Sequence, residues 1–345
     1  MKKLFKKRSK QEIPSRITNE TVAEHRERIL AGGRRFKYPM QYARHRLVIN
    51  TVIISVIAVI LIVVIGWWQL YPAQNTSNFA YRVTRVLPLP VASVDGEPVR
   101  YSDYLMYYNS SIHYLTQNEQ LDVKTEDGKR QVDYVKRKSM DTVIADTYAR
   151  KLARQLGITV SDKQVDAVIS DDRNTANGRI SQETYDASAL SVLGWTPSEY
   201  RQDAKNKLVR QAVAFAIDSQ AKQRQAEAAK LLQAKDPDFD KIAAQLGGTG
   251  DSKVVTGVSG FVPTTNRDGG LSTAATKLEK GEISGVIKST TGDGYYFIRL
   301  LDKNDAQVNY EYLQIPLTEF NDRLAKLKKD GKVHEYISIK AATEP

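Results

Sequence analysis

Residues 47–68 run without a single charge, and fifteen of these twenty-two positions are Leu, Ile or Val. Coiled as a helix, such a run rises about 33 Å at 1.5 Å per residue, enough for a hydrocarbon core of about 30 Å. Each aliphatic residue near the middle gains about 0.3–0.6 kcal/mol on insertion, against which Asn50, Thr51 and Ser55 subtract little. A segment of this kind is expected to cross a membrane.

Charge gives the expected orientation. Residues 1–46 hold 14 of the 51 Lys and Arg but only 4 of the 40 Asp and Glu, so most of the formal net charge of +11 sits ahead of the span. Short basic flanks stay on the cytoplasmic side, and Trp67, Trp68 and Tyr71 suit the opposite interface. A cleaved signal peptide is the competing interpretation, yet it would have a shorter basic region and a small-residue cleavage site. Gln69, Leu70, Tyr71 and Pro72 stand there instead. The basic tail has no folded basic face beside it, so anionic lipid is its expected neighbour and nucleic acid is not an expected partner.

The chain has no cysteine, which removes disulfides, thiolate metal sites and cysteine nucleophiles together. Of four histidines, His25 and His45 precede the span, and His113 and His334 stand alone, as solvated or structurally bonded imidazoles would. No HExxH, GxSxG, P-loop or EF-hand spacing occurs. No metal and no cofactor is expected.

Beyond the span, an α+β fold is expected. Val91-Ala-Ser-Val-Asp-Gly-Glu-Pro-Val99 has the form of a β-hairpin turning at Asp95 and Gly96. Ser102 is placed to cap a helix with Tyr104, Tyr108, Ile112 and Leu115 on one face, a stripe suited to a core or, through its tyrosines, to contacts with unfolded chains. Residues 129–156 predict a longer helix, ended by Gly157. Thr196 and Pro197 open another that passes Leu208 and Phe215. After about residue 220, helical segments at 226–232 and 239–246 give way to strand signals at 258–262, 283–287, 295–301 and 308–317. A helix with Phe320, Leu324 and Leu327 precedes a last strand at 333–339.

The stretch Val91 to Val99 with Ser102-Asp-Tyr104, then Leu156-Gly-Ile-Thr-Val-Ser-Asp-Lys-Gln-Val165 and Gly194-Trp-Thr-Pro-Ser-Glu-Tyr-Arg201, resembles the SurA, PrsA and PpiD group of extracytoplasmic chaperones. Downstream, Glu227-Ala-Ala-Lys-Leu-Leu232, Gly257 to Phe261, Leu278-Glu-Lys-Gly-Glu-Ile-Ser-Gly285 and Gly294-Tyr-Tyr-Phe-Ile-Arg-Leu300 resemble a parvulin-type peptidyl-prolyl isomerase domain. The resemblance implies a helical chaperone lobe joined to a small antiparallel sheet flanked by helices. It divides the chain into a basic cytoplasmic tail (1–46), the transmembrane helix (47–69), a linker (70–88), a chaperone lobe (89–219 with 317–345) and a parvulin-like domain (220–316).

The departures from the parvulin pattern bear directly on chemistry. The family's first strand is absent before Ala226, and Glu311-Tyr-Leu-Gln-Ile315 has the alternation to replace it, which would permute the sheet. Tyr312 and Tyr296 then stand where the resemblance places the two catalytic histidines, and Gly250 or Asp251 where it places a Cys or Asp. In the proline pocket, Arg267, Leu271 and Thr276 occupy the Met and two Phe positions, while Phe261 keeps an aromatic. The degenerate catalytic positions are therefore Tyr296, Tyr312 and Asp251, and the expected polypeptide contacts are Phe261, Leu271, Tyr104 and Tyr108. Segment 320–339 resembles the chain's return to the chaperone lobe, where 333–339 would pair with 91–94.

Three functions are compatible with these features: a membrane-tethered chaperone for newly exported polypeptides with little isomerase activity, an isomerase with a rewired site, and a structural envelope protein. Topology is directly testable. Protease added to intact spheroplasts is expected to digest the large C-terminal part and spare the basic tail, whereas protection of that part would reverse the orientation.

Overall fold

The computed structural model describes residues 17–37, 39–175 and 178–340, so the first sixteen residues of the basic tail and the last five of the C-terminal segment lie outside the described residues. The chain divides into two compact units, Met1–Leu70 and Tyr71–Pro345.

In the first unit, α1 (Asn19–Lys37) lies within the basic tail, and α2 (Pro39–Leu70) contains the apolar run. Among the described residues, one stretch, His45–Leu70, is long and apolar enough to cross a membrane by length and composition. Its aliphatic side chains from Leu47 to Ile65 are exposed.

The second unit opens with α3 (Asn78–Val86), inside the stretch expected as a linker. Nine residues rich in Val and Arg form a helix poorly alone. Here Ser77 caps the helix, its Oγ accepting from the Ala80 N–H at 3.3 Å, and Ala80 and Thr84 are buried. The hairpin of β1 (Pro90–Val94) and β2 (Glu97–Arg100) forms as expected, with φ of 48° at Asp95 and 82° at Gly96 supplying the tight turn. α4 (Tyr101–Gln117) follows at once. Arg100 takes the cap position in place of Ser102, which is buried inside the first turn.

α5 (Glu126–Leu156) is capped by Thr125, and α6 (Asp162–Asp172) by a reciprocal Ser161–Gln164 box. A small hairpin, β3 (Asn174–Thr175) and β4 (Gly178–Arg179), leads to α7 (Gln182–Leu193). α8 (Pro197–Ile217) starts at the expected Thr196-Pro197, with Glu199 completing its cap. α4, α5 and α8 pack around Tyr104, Leu105, Met140, Ile144 and Val213, all buried.

α9 (Ser219–Leu231) and α10 (Phe239–Leu246) then precede β5 (Val255–Val258), β6 (Val262–Pro263), α11 (Leu271–Ala275), β7 (Ile287–Lys288), β8 (Gly294–Lys303) and β9 (Gln307–Pro316). The sheet order is β5-β9-β8-β7, with β6 also on β9. β9, last of these in sequence, thus sits between β5 and β8. Alternation along β8 and β9 gives two apolar faces. Tyr295, Phe297, Leu313 and Ile315 pack with Phe239 and Ile242 on one, and Tyr296, Ile298, Val308 and Tyr310 pack with Leu271, Ala275 and Leu278 on the other. The expected strand at 258–262 is instead a break between β5 and β6, and Ile283 makes one isolated bridge to Arg299.

After β9, α12 (Glu319–Lys329) places Phe320 against Tyr148, with ring centroids 5.6 Å apart. β10 (Val333–Glu335) then pairs antiparallel with β1, Val94 opposite Val333 and Ala92 opposite Glu335. This pairing is shorter than the expected 333–339 strand. Arg137 of α5 holds Glu335 at 2.6 Å.

One buried carboxylate joins departure and return. Asp218 is the single residue between α8 and α9; its Oδ1 accepts from the Ala221 N–H at 2.8 Å, capping α9. Its Oδ2 accepts from the N–H groups of Thr318 (2.9 Å) and Glu319 (3.2 Å), serving α12, whose own Thr318 makes no side-chain cap. Asp218→Ala strands three buried or half-buried donors and is expected to lower stability by about 2–4 kcal/mol, with Asp218→Asn costing less. Urea unfolding of residues 71–345 checks this; an unchanged midpoint for Asp218→Ala would show that the junction is held by packing alone.

Candidate functional site

Tyr296 on β8 and Tyr312 on β9 are brought together on one sheet face. Ile298 is the residue opposite Tyr312, so the two tyrosines are diagonal neighbours with ring centroids 6.2 Å apart. The Tyr312 ring lies over Gly257 of β5, where an added Cβ would come within 2.6 Å of its hydroxyl, so the glycine is what admits the ring. The Tyr296 hydroxyl donates to Asp293 Oδ2 at 2.6 Å. Burial, then this bond, raises the Tyr296 pKa well above its ordinary value, so the phenol remains a proton donor held by Asp293 and does not become a base.

A parallel pair, missed in the sequence, lies beside it. Tyr310 donates to Asp268 Oδ2 at 2.6 Å, and Asp268 also accepts from the Ser272 N–H at 3.0 Å and from its hydroxyl. The signal available was the two-residue spacing of Val308, Tyr310 and Tyr312, which puts all three on one face.

Of the remaining positions, Leu271 packs in one cluster with these tyrosines, and the others do not converge on them. Asp251 lies exposed in the 3₁₀ turn Gly250–Ser252, and among the described residues it bonds neither hydroxyl. Phe261 is 52% exposed in the break before β6. Leu271, 5% exposed, is packed among Ala275, Tyr296 and Ile298, where it fills the face as core and offers little contact surface. Arg267 reaches away to α6, donating to the Asp172 carbonyl at 2.7 Å, and the Thr276 hydroxyl bonds back to the Thr273 carbonyl. Tyr104 and Tyr108 stack at 6.0 Å with Tyr104 only 1% exposed, so this stripe is interior, which does not fit the client contacts expected of it.

A concavity lies elsewhere. A cleft of about 720 Å³ is walled by Val168 of α6, Tyr185 of α7, Trp195, and Leu208 and Phe215 of α8, and is closed on one side by residues 288–290 from the sheet. Asp171, Asp172, Lys207 and Lys288 stand on its rim. Its aromatic wall is fixed: Tyr185 and Tyr200 meet edge to face at 5.2 Å, and the Tyr200 hydroxyl donates to Asp186 at 2.7 Å. Burial pushes both phenols up to about 12, keeping them protonated donors. Gln211 of α8 donates to the Thr290 carbonyl, tying helix to sheet at the floor. A smaller groove of about 320 Å³ between α4 and α5 shares Trp195 and adds Tyr107, Tyr114 and Tyr134. The cleft thus combines apolar walls with a mixed-charge rim.

The carboxylates beneath the tyrosines give a pH test. Burial alone would push Asp268 and Asp293 up, but hydrogen bonds from Ser272 and Tyr310 to the first, and from Ser289, Thr291 and Tyr296 to the second, hold both below the ordinary 3.8. Their stabilisation is therefore complete above 3.8 and is lost as pH falls through the folded values. Melting temperature is expected to drop below about pH 4, and less steeply in Asp268→Asn/Asp293→Asn; parallel profiles for the two proteins would contradict this.

Comparison with known families adds two matches. The SurA-like N-terminal domain matches residues 40–214, half of the chain, and the PPIC-type PPIASE domain matches residues 196–311, ending one position before Tyr312. No curated protein and no solved structure matches. Proteins of these chaperone and isomerase families bind polypeptide substrates. With a helical lobe, a small antiparallel sheet and both matches in that order, the chain belongs to the SurA-like N-terminal domain family and carries a PPIC-type peptidyl-prolyl isomerase domain.

Proposed function

We propose that this protein is a membrane-tethered extracytoplasmic chaperone that holds newly exported polypeptides and has little or no prolyl isomerase activity. The observation that carries the proposal is the cleft of about 720 Å³, whose walls come from α6, α7, α8 and the β7 turn. A client segment lying there would touch Trp195, Leu208 and Phe215 and meet charges of both signs at the rim. A purely structural envelope role leaves such a cleft without a use. In this scheme residues 89–219 with 317–345 act as the chaperone lobe, 220–316 as a binding module, and residues 47–69 as the anchor, with residues 1–46 in the cytoplasm.

Low isomerase activity follows from the tyrosine face. Rotation about an X–Pro bond must overcome about 20 kcal/mol, which demands an apolar grip on the proline ring with free polar groups steering the carbonyl. Leu271 fills the face, Arg267 turns away, and the Tyr296 hydroxyl is committed to Asp293. The adjacency of Tyr296 and Tyr312 favours the alternative, a rewired isomerase, in which these phenols donate to the substrate carbonyl.

The two activities are expected to separate. Residues 71–345 should suppress aggregation of an unfolded client, and Trp195→Ala with Leu208→Lys should reduce that suppression several-fold, as expected on losing apolar contact area. Exchange NMR on a short proline peptide should show almost no acceleration. Acceleration typical of a parvulin, abolished by Tyr296→Phe or Asp251→Ala, would establish the rewired enzyme instead.

A further inference from the structure

α3 carries an unpartnered face of mixed character. Phe79, Arg82 and Val86, spaced by three and four residues, lie along one side of the helix and are exposed, Phe79 at 76% and Val86 at 81%. Leu87 continues the face at the helix end, while Ala80 and Thr84 on the opposite side are buried. No other large apolar side chain described in residues 71–340 is as exposed as Phe79 or Val86.

The surrounding charge has one sign. Arg82, Arg85 and Arg100 are exposed, and among the described residues none of them forms an ion pair. The nearby carboxylates are already engaged: Asp103 by Arg150 and Gln202, Glu199 by Tyr81 and Thr196, and Glu97 by Arg154. A face of aromatic and aliphatic tips interleaved with unneutralised guanidinium groups matches the boundary between acyl chains and phosphate headgroups, where the arginine stems lie along apolar surface and their heads reach phosphate.

Chain length supplies the second argument. Seven residues separate Leu70, the end of the candidate span, from Asn78, the start of α3. Fully extended they reach at most about 25 Å, so an anchored α3 cannot leave the neighbourhood of the bilayer surface.

We propose that α3 is an interfacial helix that seats its Phe79–Arg82–Val86 face on an anionic lipid surface, giving the extracytoplasmic domain a second membrane contact beside the anchor. This rests on the membrane tether proposed above. The bound orientation would fix which way the client cleft faces, since α3 is packed on α4 of the same compact unit.

The absence of native cysteine makes the test direct. Full-length protein carrying Phe79→Cys, Val86→Cys, Val258→Cys or Ile57→Cys is labelled with an environment-sensitive fluorophore and reconstituted into vesicles containing nitroxide-labelled lipid, with phosphatidylglycerol present or replaced by phosphatidylcholine. With phosphatidylglycerol, quenching at positions 79 and 86 is expected to exceed that at position 258 by at least about twofold. It should fall to the position-258 level on Arg82→Glu/Arg85→Glu or in phosphatidylcholine alone. Quenching at 79 equal to that at 258 overturns the proposal, as a surface reserved for a protein partner would give; equal quenching in both lipids overturns its anionic-lipid assignment. Ile57 separates the two readings: quenched at 57 but not at 79, the anchor stands and the α3 contact fails. Quenched at 79 but not at 57, the contact stands without the anchor, and unquenched at both, the two fail together.

Discussion

Asp218 is the constraint on which the arrangement of the larger unit depends. The chain leaves the helical lobe at the end of α8, builds an entire sheet, and must come back to the same place for α12 and β10 to complete the lobe. A single buried carboxylate caps α9 on the way out and α12 on the way back. Hydrogen bonds from backbone N–H groups to a buried carboxylate are directional and charge-assisted, so they fix where the returning helix begins. Phe320 can then reach Tyr148, and Glu335 can reach Arg137.

The helical lobe has a second polar device. The Tyr107 hydroxyl on α4 lies 2.9 Å from Asp146 of α5 and 3.0 Å from Asp203 of α8, joining three helices through one atom. Arg210 approaches Asp146 at 3.0 Å as an ion pair without a well-directed hydrogen bond, and Lys207 takes Asp203 at 2.7 Å. Burial raises the Asp146 carboxyl above its ordinary range against the opposing pull of Arg210. Such buried networks add little net stability compared with apolar packing, but a misregistered helix would leave a charge unpaired. The network therefore acts against wrong alignments of α4, α5 and α8, and the cleft wall on α8 inherits the resulting position.

The sheet brings tyrosines and aspartates together on one face. Tyr296 and Tyr312 meet on the central strands, and the phenols of Tyr296 and Tyr310, each held by an aspartate, are fixed donors near neutral pH. Asp268 and Asp293 stabilise the face through these hydrogen bonds.

While the resemblance alone singled out Tyr296 and Tyr312, the apolar run, the Asp95-Gly96 hairpin, helices α5 and α8, and strands β8 and β9 were legible in the sequence, because each depends on local periodicity, capping or turn chemistry. Helix α3 was not, since its residues are weak helix formers and its stability comes from burying Ala80 and Thr84. The roles of Tyr104, Tyr108 and Leu271 also escaped, because a tyrosine or leucine stripe has the same spacing whether a partner helix covers it or solvent does. Asp268, Asp293 and Asp218 were invisible for a related reason: a lone aspartate in a loop gives no sign of which distant backbone N–H or hydroxyl will find it. The sequence by itself determined the apolar run, helices α4, α5, α8 and α12, and strands β8 and β9 with their apolar faces, because each carries a local period or cap signal. The tertiary structure alone decided what covers each face, because burial depends on contacts between segments as far apart as Val94 and Val333.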